Sequence, residues 1–277
     1  KCNIKKYKCK KFENALKNVS ISPNGKKAIF IKDNNLWVRD LTNNTESQLS
    51  TDGTTDFGWA TNNAGWIRKN KPVVKWSPDS SKITTFQHDG RDVGNMYLVS
   101  TNVGHPTLDS WKYPLPGDSK IFEMHRAIFD VNEGVMTKLD MAPDAHRSSV
   151  TDHVADRNGD LLDVEWSDNG DKLAILSVSR DHKTATLREV ETKTGTVRTV
   201  LSETTKTYFE SGYKKANWHY LPDSNEIIWF SERSDWGHLY LYDLTSGKLK
   251  NPITNGNWAV LQVLKVDLDN RQIYFTA

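Results

Sequence analysis

Residues 73–86 read VVKWSPDSSKITTF, two apolar runs around Ser-Pro-Asp-Ser-Ser-Lys, a centre too polar to be buried. The phrase recurs as VSISPNGKKAIFI from Val19, DVEWSDNGDKLAIL from Asp163, ANWHYLPDSNEIIWF from Ala216 and a worn VLKVDLDNRQIYF from Val263. Each copy places an apolar strand on either side of a turn. Pro fixes φ at its start and Asn-Gly or Asp-Ser accepts the positive φ that follows, the pattern of a tight hairpin. After the turn comes a basic or polar residue. A third and a fourth strand follow most copies, as in NLWVRDLTNNTESQLS, TATLREVETKTGTVRTVL and HLYLYDLTSGKLKNPIT.

The equivalent turn positions are Pro23, Pro78, Asp168, Pro222 and Leu268, spaced 55, 90, 54 and 46 residues apart. Four short antiparallel strands at such a period make a β-propeller blade. The 90-residue interval is too long for one blade. It predicts an elaborated blade with a strand pair at 120–130 and 134–139, followed by a connecting loop, and insertions of this kind fall on one face of the repeats, often the binding face. The reading is all-β: a partial β-propeller of about four complete blades plus partial ones, forming one domain. Approximate blades are 12–60, 73–145, 161–205, 215–256 and a partial 260–277. FENALKN at 12–18 is at most a turn or two of helix. The ragged ends are those expected of a piece of a larger ring, and exposed strand edges predict edge-to-edge pairing into a homodimer.

Composition agrees with sheets. Ten Trp against four Met among 277 residues suit aromatic-rich strands better than Met-rich helices. Lys and Arg number 37 against 35 Asp and Glu, a net +2 that supplies no field for nucleic acid or an anionic membrane. KCNIKKYKCKK at 1–11 is either a basic arm or a strand pair with a Lys face. Cys2 and Cys9 are either free thiols or a strand-pair disulfide. The eight His follow no metal-binding spacing and no Gly-rich phosphate loop follows a strand, so neither metal nor cofactor is expected.

Several stretches carry a family resemblance: VVKWSPDSSKITTFQHD, YPLPGDSKIFEMHRAIFDV, FSERSDWGHLYLYDLTSGKL and ITNGNWAVLQV. In order and spacing they resemble the N-terminal propeller of dipeptidyl peptidase IV-type enzymes of the prolyl oligopeptidase superfamily, over about 19–277. The resemblance implies an eight-bladed propeller stacked on a C-terminal α/β-hydrolase domain whose Ser-Asp-His triad cuts short peptides, often after proline. This chain holds no such hydrolase. Its nearest approach to a Gly-x-Ser-x-Gly nucleophile elbow, Gly117-Asp118-Ser119-Lys120-Ile121, lacks the second Gly. The chain is therefore expected to be non-catalytic, gating access and helping to select peptides for the parent's own hydrolase domain, in the periplasm or outside the cell.

The family's dipeptidyl peptidases grip the substrate's α-amino group with adjacent Glu residues shortly before the stretch matching Trp76. Here that segment reads DFGWATNNAGWIRKNKPVVKW and holds no Glu. Gly65-Trp66 takes the approximate place with Arg68 nearby, which puts strict dipeptide release in doubt. Trp66 either packs a peptide side chain or is simply buried, and Arg68 either binds a carboxylate or is solvated. Arg91 and Asp92 either contact substrate or pair with each other. Trp111 and Tyr113 line the long insertion or staple it to its blade, and the charges of Ser231-Glu232-Arg233 read as structural. The alternative reading is a stand-alone protein-binding propeller of the WD-repeat or TolB-like kind. A propeller glycosidase or lectin needs clustered carboxylates, and the repeats show none in register.

Overall fold

The repeated turn holds one left-handed residue in each copy: φ is +71° at Gly25, +66° at Ser80 and +69° at Gly170, each third in its loop, and +55° at both Asn225 and Arg271, one residue later. In three copies a serine stitches it. Ser22, Ser77 and Ser167 accept from the amides of Lys27, Lys82 and Lys172 at 2.9, 2.9 and 3.0 Å, and donate to Asn24, Asp79 and Asn169 at 2.8, 2.6 and 2.8 Å. Polar side chains thus satisfy backbone groups where the ladder ends, which is why the phrase keeps a hydrophilic centre.

The computed structural model describes residues 2–3, 8–9, 17–61, 70–145, 154–155, 160–209 and 217–277. The strands in chain order are β1 (Cys2–Asn3) and β2 (Lys8–Cys9); β3 (Ser20–Ile21), β4 (Lys27–Lys32), β5 (Asn35–Asp40) and β6 (Glu46–Gln48); β7 (Phe57–Trp59), β8 (Lys75–Trp76), β9 (Lys82–Asp89), β10 (Asn95–Ser100), β11 (Thr107–Lys112), β12 (Glu123–Asp130), β13 (Val135–Lys138) and β14 (Asp144–Ala145); β15 (Val164–Trp166), β16 (Lys172–Val178), β17 (Thr184–Glu191) and β18 (Val197–Thr204); β19 (His219–Leu221), β20 (Glu226–Ser231), β21 (His238–Asp243) and β22 (Leu249–Pro252); β23 (Gln262–Asp267) and β24 (Gln272–Thr276). Pro222–Ser224 forms the one helical turn among the described residues. The stretch 12–18 lies largely outside them, and β1 pairs with β2 so that Cys2 stands opposite Cys9.

Strands β3–β6, β15–β18 and β19–β22 are antiparallel four-stranded meanders. In the second sheet β7 and β8 share one edge of β9, with β12 and β13 beyond it, while β10 and β11 form a separate hairpin between β9 and β12. The expected pair at 120–130 and 134–139 is β12–β13. One strand falls elsewhere than the repeat suggests: β7, within the span 12–60 of the first copy, hydrogen-bonds into the second sheet. The β23–β24 hairpin follows the fourth meander, and the whole is a partial β-propeller.

Alternate residues of a strand face opposite ways, so each blade has two faces to bury. The cores lie between successive sheets. Ile29, Leu36 and Val38 meet Trp59, Ile83 and Phe129; Phe86, Met124 and Ile128 meet Val164, Leu173 and Ile175; Leu176 and Leu187 meet Trp218, Ile227 and Trp229; Ile228, Phe230 and Leu239 meet Val260 and Val263.

The inner strands are also stapled to each other. Trp76 Nε1 donates to Ser20 Oγ (3.2 Å), Lys75 Nζ to Val164 O (2.6 Å) and Trp166 Nε1 to Lys75 O (3.3 Å). Tyr220 N donates to Glu165 Oε2 (2.6 Å), and Asn217 bridges Leu261 O (3.2 Å) and Val263 N (3.1 Å). In a meander the first and third turns fall at one end and the second at the other. The repeated turns therefore share one face of the propeller, and the insertion between β9 and β12 lies on the opposite face.

Candidate functional site

The inner strand of the second blade is cut in two partway along its length. β7 pairs with residues 87–89 and β8 with residues 83–84, on the same edge of β9. Between them Ala60 N donates to Phe86 O and Val73 N to Ala60 O, both at 2.9 Å, and Thr85 Oγ1 donates to Val73 O at 2.7 Å. The chain thus leaves the inner strand after Ala60 and rejoins it at Val73. Trp66 and Arg68 fall between these points and lie outside the described residues. The returning limb is tied to the loop ahead of the third blade: Val74 bridges Asp160, and Lys71 Nζ lies 3.7 Å from Asp160 Oδ1.

A charged cluster stands at the free end of β7. Arg91 lies across Phe57, its guanidinium carbon 4.0 Å from the ring centroid. It chelates Asp89 through Nε (3.0 Å) and Nη2 (2.6 Å), and its amide also donates to Asp89 Oδ1 (3.1 Å). His125 meets Phe57 edge-on at 5.7 Å, with Nε2 3.6 Å from Asp89 Oδ2. The Arg91 guanidinium holds the Asp89 carboxyl below its ordinary range, and Asp89 raises Arg91 in turn. Arg91 takes Asp89 rather than the adjacent Asp92 because the chain turns at 90–93, where Val93 N donates to Gly90 O and the Asp89 carboxylate caps the Arg91 amide, which folds the guanidinium back over it. Asp92 is exposed, 3.6 Å from Lys120 Nζ.

Trp111 stands on β11 opposite Met96 of β10, half-buried within the hairpin. Lys112 ties the base of the hairpin to the chain leaving β9, its Nζ donating to Val93 O (2.9 Å) and Arg91 O (3.3 Å), and Tyr113 N donates to Gly94 O (2.8 Å). Of the residues singled out in the sequence, Arg91 and Asp92 therefore sit together beside the cut strand, with the base of the hairpin carrying Trp111 joined to them through Lys112. Phe57, Asp89 and His125 complete this cluster. Sequence reasoning passed over them because they come from three strands; only the Asp-Gly-Arg-Asp run after β9 hinted at a charged turn.

Three further charged clusters are paired across the blades. Arg126 bonds Asp144 Oδ2 (3.0 Å) and Asp163 Oδ2; burial opposes its charge, but the two carboxylates outweigh burial and raise its pKa. Glu189 takes Tyr220 Oη (2.7 Å) and Arg198 Nε (2.7 Å). Glu203 accepts from Trp229 Nε1 (2.7 Å), Ser231 Oγ and Arg233 Nη2 (2.5 Å), so Arg233 holds the β20–β21 corner to the preceding blade. These are seams between blades. Among the described residues no group of three His, Cys, Asp or Glu has metal-holding geometry.

Comparison with known proteins gives the same architecture a relative. The family pattern described as dipeptidyl peptidase IV (DPP IV) N-terminal region matches residues 2–277. Similar curated proteins include a Sclerotinia sclerotiorum protein named "Probable dipeptidyl-aminopeptidase B", 23% identical over 93% of this chain and 30% of its own length. An Emericella nidulans "Probable dipeptidyl peptidase 4" is 23% identical over 92% of this chain and 33% of its own. Among solved structures, dipeptidyl peptidase 4 of Porphyromonas gingivalis superposes with a TM-score of 0.67 at 20% identity, covering 90% of this chain and 34% of that one. A Bacteroides ovatus structure gives 0.70 at 18% identity, covering 95% and 37%. The chain spans about a third of the length of these relatives. No described helix is long and apolar enough to cross a membrane. With its whole length matched, and its stacked four-stranded sheets shared with those neighbours, the chain belongs to the dipeptidyl peptidase IV N-terminal region family.

Proposed function

We propose that this chain is the non-catalytic, peptide-selecting part of an exported serine peptidase, standing over an α/β-hydrolase domain supplied by the rest of the parent protein. The observation that carries the reading is the cut inner strand. The chain leaves the strand nearest the ring's axis after Ala60, partway along it, and the β7 half runs from there to the face that bears the Asp89–Arg91–His125 cluster and the long insertion.

The excursion and its limbs, 61–72, carry Arg68, Lys69 and Lys71 and no carboxylate. A free α-amino group therefore finds no counter-charge there. Trp66, Arg68, Arg91, Asp92 and Trp111 are the proposed peptide contacts, with Arg68 suited to a carboxylate of the peptide. The decisive experiment compares cleavage by the parent of proline-containing peptides with free and with acetylated N-termini. The expected outcome is a kcat/KM ratio within about tenfold, because no buried ion pair is lost. A preference of several hundredfold for the free amine would overturn the reading. The second reading, a stand-alone protein-binding propeller, draws on the exposed apolar hairpin β10–β11; a parent without any Gly-x-Ser-x-Gly elbow would favour it.

A further inference from the structure

The insertion between β9 and β12 has two limbs. The outgoing limb is the β10–β11 hairpin, which exposes Tyr97, Leu98, Val99, Val103 and Leu108 and pairs with no sheet of the described chain. Its base is held where Lys112 and Tyr113 reach Arg91, Val93 and Gly94. A hairpin held at its base is a lever whose far end can swing about that point.

The return limb supplies a second hold. It makes a tight turn in which Asp118 N donates to Leu115 O (3.1 Å) and Leu115 N to Asp118 Oδ2 (2.8 Å), with Gly117 at φ +92°. This turn aims the carbonyls of Leu115 and Asp118 at one place outside its own blade. Arg180, on the β16–β17 loop of the next blade, fills that place, with Nη2 donating to Leu115 O at 3.1 Å and Nη1 to Asp118 O. Beyond the turn the chain is locked again, as Phe122 stacks on His88 at 4.8 Å over Gly90, where a Cβ would come within 2.8 Å of the Phe122 ring.

We propose that Arg180 is a strap: from the third blade it fixes the direction in which the second blade's hairpin projects. The planar guanidinium suits two carbonyls held side by side, whereas an ammonium is a point donor that satisfies one of them well. Base and strap lie on different blades, so the hairpin's direction depends on the seam between them. What the apolar strand can reach is then decided by a residue that is not part of it.

Hydrogen exchange of the purified chain tests this, together with the spread of distances between spin labels at Val103→Cys and Lys248→Cys in a background carrying Cys2→Ser and Cys9→Ser. In Arg180→Ala, amides of residues 115–119 are expected to exchange about tenfold faster or more, as loss of two charge-assisted bonds implies. The label distance broadens, β16 and β17 keep their protection, and Arg180→Lys falls between. A folded Arg180→Ala with unchanged exchange at 115–119, or with an unbroadened distance, overturns the proposal, as does loosening spread equally over β16 and β17. If Arg180→Ala does not fold, Arg180→Lys decides in the same way: unchanged exchange at 115–119 overturns it, and loss of protection confined to that turn supports it.

Discussion

Glu226 occupies the position just after the repeated turn that Lys27, Lys82 and Lys172 hold in the earlier blades. Two of those lysines reach across to the next blade, Lys27 to Val131 O (3.1 Å) and Lys82 to Gly170 O (3.4 Å). Glu226 inverts the charge and receives its partners instead: Arg271 of the following hairpin through Nη2 (3.0 Å) and Nη1, and Lys250 Nζ (2.6 Å). The Arg271 bond chiefly, against burial and with help from Lys250, draws its carboxyl from 4.5 down to about 2. A carboxyl lowered on folding stabilises fully above its unfolded value and loses that contribution as pH falls through the folded one. Urea midpoints of the wild type should therefore fall between pH 4.5 and 2 by more than those of Glu226→Gln; parallel curves would count against this pairing. Arg126 is the other sharp test. Arg126→Ala leaves Asp144 and Asp163 as uncompensated buried carboxylates, which should cost about 3–5 kcal/mol by equilibrium unfolding, and adding Asp163→Asn should restore part of the loss. That a basic or polar residue follows each turn is legible in the sequence. Its partner is not, since Arg271 is 45 residues from Glu226 and Asp163 is 37 from Arg126.

At the scale of the element, the turn between third and fourth strands repeats in all four blades. Asn44, Gly134, Gly195 and Gly247 have φ of +60°, +68°, +74° and +65°, and each donates its amide to the carbonyl four residues back, at Asp40, Asp130, Glu191 and Asp243. Their surroundings differ. A Cβ on Gly134 would meet open space, whereas one on Gly247 would come within 2.0 Å of Val200 O in the preceding blade. Gly134→Ala should therefore cost only the left-handed strain of about 1–2 kcal/mol, and Gly247→Ala clearly more; equal losses in thermal unfolding would refute the difference. Legibility ends in a similar way for the strands. The pattern of apolar runs places β3–β6 and β15–β22 directly, but β7 is separated from β8 by an excursion and so escapes the repeat. Only the hydrogen bonds to β9 show that the two are one strand.

For the molecule as a whole, the cores are shared. Trp59 is buried between the first and second sheets and Trp229 between the third and fourth, so no blade owns a complete core of its own. Nearest-neighbour coupling of this kind should make the chain unfold as one unit. Trp59→Ala and Trp229→Ala, each losing about 3–5 kcal/mol, are expected to lower one common transition seen alike by near- and far-ultraviolet circular dichroism. Two transitions moving independently would show that the seams are weaker than the sheets. The division between sequence and structure follows from range. Turn type, strand alternation and blade period were determined by the sequence alone, because φ preference, side-chain alternation and hairpin closure act over a few residues. The cut inner strand and the grip of Arg180 on the neighbouring blade were decided only by the tertiary structure, because each depends on which distant backbone groups the packed sheets bring within hydrogen-bonding reach.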